Sequence, residues 1–374
     1  MSFLSLITIK GGRDYSLTGS ETAQAEQNGL ANAEWYKTPI DRKTLKALMK
    51  RSDGPALRNI GLWLALLAVT AAGAIVFWGT WWTVPFLLVY GVLYGTGSDS
   101  RWHECGHGTA FRSRWMNSLI YELASFMMVR NSVVWRWSHT RHHTDTIIVG
   151  KDPEISSMRP PQMIVMALNV FGIVALPQSL FALARQASVG LSADERQYVP
   201  EPEQARAIWT ARAHILIYAG TLAWAVMSAS LLPLLLIGLP RAYGIWLLLL
   251  MGLPQHAGLD EDVLDHRLNS RTVIMNPVLR FIYMNMNYHI EHHMFPMVPF
   301  YALPALHEAV KHDLPPPSPS LFAAWKDIIP AFFRQLKDPH YFIKQTLPPG
   351  AGAPLLSPPT VPPSDHGDPA HAGH

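Results

Sequence analysis

The chain has 374 residues, 49% of them hydrophobic and 15% charged, with a formal net charge of +3. A soluble domain carries nearer a quarter charged residues. Here the deficit is gathered into a few long uncharged runs, which point to membrane spans rather than a large soluble core, and the small net charge offers nothing to nucleic acid. The one cysteine, Cys105, excludes an internal disulfide, a four-cysteine iron–sulfur centre and a zinc ribbon, so any metal takes nitrogen or oxygen ligands.

Taken in chain order, residues 1–58 are polar and read as a cytosolic segment. Met1–Arg13 has no apolar core with a small-residue cleavage site, so no signal peptide is expected. Lys37, Arg42, Lys43, Lys46, Lys50, Arg51 and Arg58 precede an apolar run and place this end on the cytoplasmic side. Asn59–Ser98 is uncharged and about twice the length of one span. It predicts a hairpin, 60–79 and 82–98, turning near Gly79–Thr83 with its tryptophans in the interface. Residues 115–130 predict a short surface helix.

Pro161–Ala184, Ala213–Pro240 and Ala242–Leu259 are also uncharged. Three histidine clusters interleave with these runs, and if they build one site an even number of spans separates the second cluster from the third. The preferred reading makes 213–239 and 242–257 a second hairpin and leaves 161–185, which contains Pro177, interfacial or re-entrant. The alternative has 161–184 crossing and 242–257 only dipping. Residues 258–346 are then cytoplasmic. From Leu347 to His374 the Pro-, Gly- and Ala-rich composition predicts a disordered tail, with His366, His371 and His374 as incidental histidines. The fold class is all-α: an integral membrane protein with two transmembrane hairpins and a cytosolic helical cap. The charge pattern places both termini and the histidines on the cytoplasmic side of the membrane.

The clusters are His103 and His107, then His139, His142 and His143, then His289, His292 and His293. Residues three and four apart share a helix face, so each cluster can turn two or three imidazoles toward one place. Eight imidazoles are too many for one ion and suit two, each with about four nitrogens and an open position. Such ligands suit iron, zinc, copper or nickel, and redox chemistry with dioxygen favours iron. His256, at the end of the last apolar run, is a ninth candidate ligand. His266 and His214 have weaker claims, and His307, His312 and His340 read as surface residues. Glu104, Asp145 and Glu291 flank the clusters and are candidates to accept the second N–H of a ligating ring. Asn285, one turn before His289, is a candidate for a metal or a metal-bound water.

Two other readings compete. His103-Glu104-Cys105-Gly106-His107 is a literal H-E-x-x-H, which in a zinc protease supplies two ligands and a general base, but six clustered histidines then have no role. A non-enzymatic metal-handling membrane protein would want ionisable residues inside its spans, and the uncharged runs offer almost none.

The order H-x-x-x-H, H-x-x-H-H, H-x-x-H-H between hydrophobic hairpins resembles the membrane fatty-acid-desaturase superfamily. Asn269-Ser-Arg-Thr-Val273 and Met294-Phe-Pro-Met-Val-Pro299 add to the likeness, which covers about residues 59–310. The resemblance implies a four-span mushroom with a cytosolic cap, a non-haem diiron centre, dioxygen as co-substrate, and an additional histidine ligand that matches His256. Some members use an asparagine one turn before that histidine. Here the position is Gly252, which leaves one iron with a different ligand, water or Asn285. Asn28-Gly-Leu-Ala and Glu34-Trp-Tyr36 resemble bacterial members such as the rhizopine-catabolism oxygenase and dihydrorhizobitoxine desaturase. The chemistry implied is C–H desaturation, hydroxylation or demethylation, on a fatty-acyl lipid or a small organic molecule. With no cytochrome b5-type segment in the chain, electrons are expected from a separate ferredoxin and its reductase.

Overall fold

The computed structural model describes residues 12–357. Its described residues form helices and connecting loops with no β-strand, only two isolated bridges, Thr272 to Tyr288 and Val273 to Ser318. Short helices α1 (Ser20–Gln27) and α2 (Arg42–Leu48) precede α3 (Asp53–Val76). On α3 the residues Ala56, Ile60, Trp63, Leu67, Thr70 and Ala74 recur every three or four positions and are buried. The opposite face, with Leu62, Val69 and Val76, is exposed and apolar. The chain reverses through the exposed Trp81 and Trp82 into α4 (Thr83–Gly91).

From α4 the helix continues through a π-helical turn, Val92–Thr96, into α5 (Gly97–Gly106). The inserted turn lies where the backbone must accept a neighbour. A Cβ on Gly244 would overlap the carbonyl of Gly91, and one on Gly95 would lie 2.6 Å from the carbonyl of Pro240. Trp63 Nε1 donates to Leu93 O at 2.8 Å and ties α3 to the same turn. The first two clustered histidines thus emerge at the far end of a long rigid rod.

Helix α6 (Arg114–Met127) is amphipathic, with Asn117, Ile120, Tyr121 and Ala124 inward and Trp115 and Leu119 exposed. Helix α7 (Ser132–Thr144) is capped by Asn131, whose side chain accepts the N–H groups of Val133 and Val134. Asn131 also donates to Gln186 and to Ala207 O. The expected 161–185 segment is two helices, α8 (Met163–Asn169) and α9 (Ala175–Ser188), broken around Gly172 with φ at +61°. After α10 (Ala193–Tyr198), α11 (Glu201–Met227) packs along α9. It begins well before the expected residue 213, because Pro200 and Pro202 start the helix among polar residues. Residues after it form the short α12 (Leu232–Leu236).

The expected span 242–257 is not one helix. It is α13 (Pro240–Tyr243), a break at Gly244, α14 (Trp246–Gly252) and a 3₁₀ turn, Leu253–Gln255. Trp246–Gln255, at 1.5 Å per residue, is about 15 Å long, half a hydrocarbon core. The break is the backbone contact of Gly244 with Gly91. Among the described residues one helical stretch, Arg42–Val76, is long and apolar enough to cross a membrane by length and composition.

The remaining helices are α15 (His266–Asn269), α16 (Pro277–Tyr283), α17 (His289–Met294), α18 (Leu303–Val310) and α19 (Leu321–Gln335). Residues 347–357 of the expected disordered tail are held against the fold. Leu264 N–H donates to Leu355 O at 3.1 Å, and Gly352 N–H donates to Asp313 at 2.7 Å. The reason is a buried charge group, Asp265, Arg267 and Asp313, that needs the strap's backbone. The rest of the expected tail, 358–374, with His366, His371 and His374, lies outside the described residues.

Candidate metal centre

Three helices and one turn deliver the clustered histidines. The end of α5 brings His103 and His107, α7 brings His139, His142 and His143, α17 brings His289, His292 and His293, and the 3₁₀ turn after α14 brings His256. They form two groups. His103, His107, His139, His143 and His292 make the first, and His142, His256, His289 and His293 the second. In each group one ring nitrogen per residue lies within 4.8 Å of all the others.

Each H-x-x-H-H box is therefore split. On α7, His139 and His143 are one turn apart and face the first group, while His142 faces the second. On α17, His289 and His293 face the second group and His292 the first. The two groups adjoin through neighbouring rings, His143 stacking on His293 with centroids 4.4 Å apart.

The spacing within the groups fits a metal. Nε2 of His139 lies 3.1 Å from that of His107 and 3.2 Å from that of His143, which lies 3.2 Å from that of His292. Nε2 of His289 lies 2.9 Å from that of His256 and 3.0 Å from that of His293. Several of these rings carry their proton on the other nitrogen, so bare lone pairs face one another. Metal–nitrogen bonds of about 2.1 Å put adjacent ligands roughly 3 Å apart. Burial, then the neighbouring rings, holds His103, His107, His143, His289, His292 and His293 well below the ordinary imidazole range, so they are neutral. Nine imidazole nitrogens and no anionic donor suit a borderline metal such as iron or zinc.

The groups that orient the rings are not the expected ones. His139 Nδ1 lies 3.0 Å from Glu154, and His142 Nδ1 lies 2.8 Å from Asp152. His256 Nδ1 donates to Asn269 O at 2.8 Å, and His293 Nδ1 lies 3.2 Å from the Thr146 hydroxyl. Burial pulls the His142 pKa down, but the charge and hydrogen bond of Asp152 outweigh it and leave it raised. Burial pushes Glu154 up, but its charge and hydrogen-bond pairing with His139 holds it at about 2. Asp152 and Glu154 sit in the loop after α7, which folds back along the helix. The Asp-Pro-Glu run, about ten residues past the second box, was their only signal.

The three expected carboxylates are engaged elsewhere. Glu104 accepts from the Thr109 hydroxyl at 2.7 Å and the Phe300 N–H at 3.0 Å, and burial lifts it to about 7. Asp145 pairs with Arg141 at 2.6 Å. Glu291 accepts from the Thr272 hydroxyl at 2.6 Å and pairs with His307. Glu104 and Glu291 are each adjacent to a grouped histidine and so point off the face that presents it, while Asp145 lies just past the end of α7, and all three anchor the helices to the fold. Asn285 has φ at +57°, accepts from Arg280 and donates to Phe300 O, so its amide is occupied away from the rings. Beside Gly252 the nearest side-chain atom a Cβ would meet is the Tyr283 hydroxyl, at 3.5 Å.

Of the other histidines, His307 is buried rather than at the surface, because it is the partner of Glu291. His266 is buried, stacked on Trp35 with centroids 4.3 Å apart, and packs on His293. His214 is buried on α11 against Phe126. His312 and His340 are exposed.

Fold and site together define an all-helical protein of the three-histidine-box kind, with two adjoining imidazole groups able to hold metal. The family model for fatty acid desaturase matches residues 79–325, and the chain belongs to that family, a family of oxidoreductases. It is 24% identical to a probable fatty acid desaturase of Sorghum bicolor over 302 residues, covering 74% of this chain and 72% of the relative. It is 27% identical over 141 residues to an sn-1 oleoyl-lipid 12-desaturase of Anabaena variabilis, covering 37% of this chain and 39% of that one. A Synechocystis enzyme of the same description is 28% identical over 105 residues, covering 28% and 29%. The chain thus spans well under half of the cyanobacterial relatives' length.

Proposed function

We propose that the protein is an O₂-dependent non-haem diiron oxidase of the membrane, desaturating or hydroxylating an unactivated C–H bond of a fatty-acyl lipid or a small organic substrate. The observation that carries this reading is the closure of nine imidazoles into two adjoining groups. One iron is held by His103, His107, His139, His143 and His292, the other by His142, His256, His289 and His293. When bound, the iron pair supplies dioxygen activation and oxidation of the C–H bond. The chain's own part is to fix the rings. Glu154 and Asp152 hold the protons of His139 and His142 on Nδ1, Asn269 O does so for His256, and burial keeps the others neutral.

The membrane arrangement proposed is four crossings or part-crossings with the histidines and both termini on the cytoplasmic side of a bacterial inner membrane. Its support is the apolar residues left uncovered on α3, α6 and α11, among them Val76, Trp115, Leu216 and Met227. Electrons come from a separate ferredoxin and reductase.

Metal analysis of the purified protein tests the reading. About two irons per chain are expected, with His289→Ala lowering iron content and abolishing turnover. One zinc per chain, unchanged in His142→Ala and His292→Ala, would sink it. Lipid and metabolite profiling of cells expressing the chain with a ferredoxin pair then identifies the product.

A further inference from the structure

Beside the first histidine group lies a cavity of about 180 Å³. Its walls are Trp102, Tyr121, Pro296 and Met297, and His107, His139 and His143 form the side toward the metal group. Arg136 lines its rim and is exposed. We propose that this cavity takes the apolar part of a compact organic carboxylate whose anionic end docks on Arg136. The inference rests on the oxidase reading of the adjoining histidines and narrows its substrate class.

Charge is the first ground. Nearby arginines are already paired, Arg130 with Asp99 and Arg141 with Asp145. Arg136 has no carboxylate partner among the described residues. Its guanidinium lies over the Tyr121 ring, 4.5 Å from the centroid, and the Tyr121 hydroxyl is itself fixed by donating to Ser132 O at 2.5 Å. A guanidinium resting over a ring face can still offer its N–H edge to a carboxylate. The other polar groups at the rim are committed, since the hydroxyls of Thr140 and Thr144 donate to Arg136 O and Arg141 O at 2.8 and 2.9 Å. The guanidinium is the strong donor left at the mouth.

Size and register are the second ground. A cavity of about 150 Å³ takes a benzene ring, so one of about 180 Å³ suits a chain of roughly six to eight carbons. Arg136, His139 and His143 share one face of α7. At 1.5 Å rise per residue, Arg136 lies about 4.5 Å along the axis from His139 and about 10 Å from His143. A carboxylate on Arg136 therefore sets carbons a few bonds away against the histidines, whereas a long acyl chain would have to leave the cavity.

Calorimetric titration of the iron-loaded full chain with straight-chain carboxylates from butanoate to octadecanoate, and with their methyl esters, tests this. Binding should tighten with each added pair of carbons up to octanoate and then stop. Octanoate should bind roughly tenfold or more tightly than methyl octanoate, as a charged hydrogen bond typically gives. Arg136→Gln, with iron content unchanged, should erase that preference, and Arg136→Lys should keep part of it. Equal binding of acid and ester, tightening that continues to octadecanoate, or an acid preference that survives Arg136→Gln would each overturn the proposal. A chain that binds no iron but still prefers the acid through Arg136 would instead count against the oxidase reading alone.

Discussion

His142 and Asp152 are ten residues apart in the chain, yet Nδ1 of the one lies 2.8 Å from Oδ2 of the other, and the same oxygen accepts the Ile147 N–H at 2.8 Å. The carboxylate is thus anchored before it meets the ring. Glu154 does the same for His139, with the Ser138 hydroxyl donating to its other oxygen at 2.8 Å. Asp152→Asn should weaken iron at the second group, and Glu154→Gln at the first, each by about ten- to a hundredfold. Chelator competition reads this out. Asp145→Asn is the contrast: it loses a pairing with Arg141 and should hold iron like the parent chain. Equal losses in all three variants would remove the distinction.

The histidine clusters were legible in the sequence because helical spacing alone groups residues three and four apart. Their partition between two groups was not, because His142 and His292 point to a different group from their box-mates only once three helices converge. The orienting carboxylates were hidden for a related reason. Adjacency on a helix turns Glu104 and Glu291 away from the histidine face, Asp145 lies past the end of α7 and pairs with Arg141, and Asp152 and Glu154 arrive through an irregular loop with no periodicity. His307 read as surface for want of any local pattern, since its burial depends on the distant Glu291. The 242–257 run misled because hydropathy records composition and not direction, and the chain breaks at Gly244 inside an apolar setting.

That break supplies a second prediction. Gly244 and Gly91 touch backbone to backbone, and a Cβ on Gly244 has no side chain to push aside. Gly244→Ala should destabilise by about 3 kcal/mol and lower the thermal midpoint by several degrees. Gly61 is exposed on α3, and a Cβ added there would meet nothing within 4 Å. Gly61→Ala should be neutral or stabilise by about 0.5–1 kcal/mol. A thermal shift assay on the pair separates close approach from general sensitivity of the hairpin to substitution.

Glu291 is fully buried, lies between His289 and His292 in the sequence, and is held by Thr272 and His307. His307→Ala leaves a buried carboxylate with one fewer partner, a cost of about 1–3 kcal/mol. Thermal stability should fall and iron should be lost sooner on heating, while His307→Gln, which keeps a donor, should recover part of both. If His307→Ala matches the parent in midpoint and in iron retention, the pair does not anchor α17.

The last prediction concerns pH and the 347–357 strap. Burial pushes the Asp313 carboxyl up, but the Thr38 hydroxyl, the Gly352 N–H, the Tyr36 hydroxyl and the Arg267 charge together hold it below its ordinary value. A depressed folded pKa means that the unfolded chain binds the proton more readily. The contribution is therefore complete above the unfolded value, near 3.9, and is lost as pH falls through the lower folded value. Amide exchange of the peptide around Gly352 should accelerate below about pH 4. Asp313→Asn should make that exchange fast already at pH 7 and flatten its acid dependence. Reading this peptide separates the effect from protonation of the metal-site histidines, and an unchanged acid response in Asp313→Asn would assign the strap's hold to Asp265 instead.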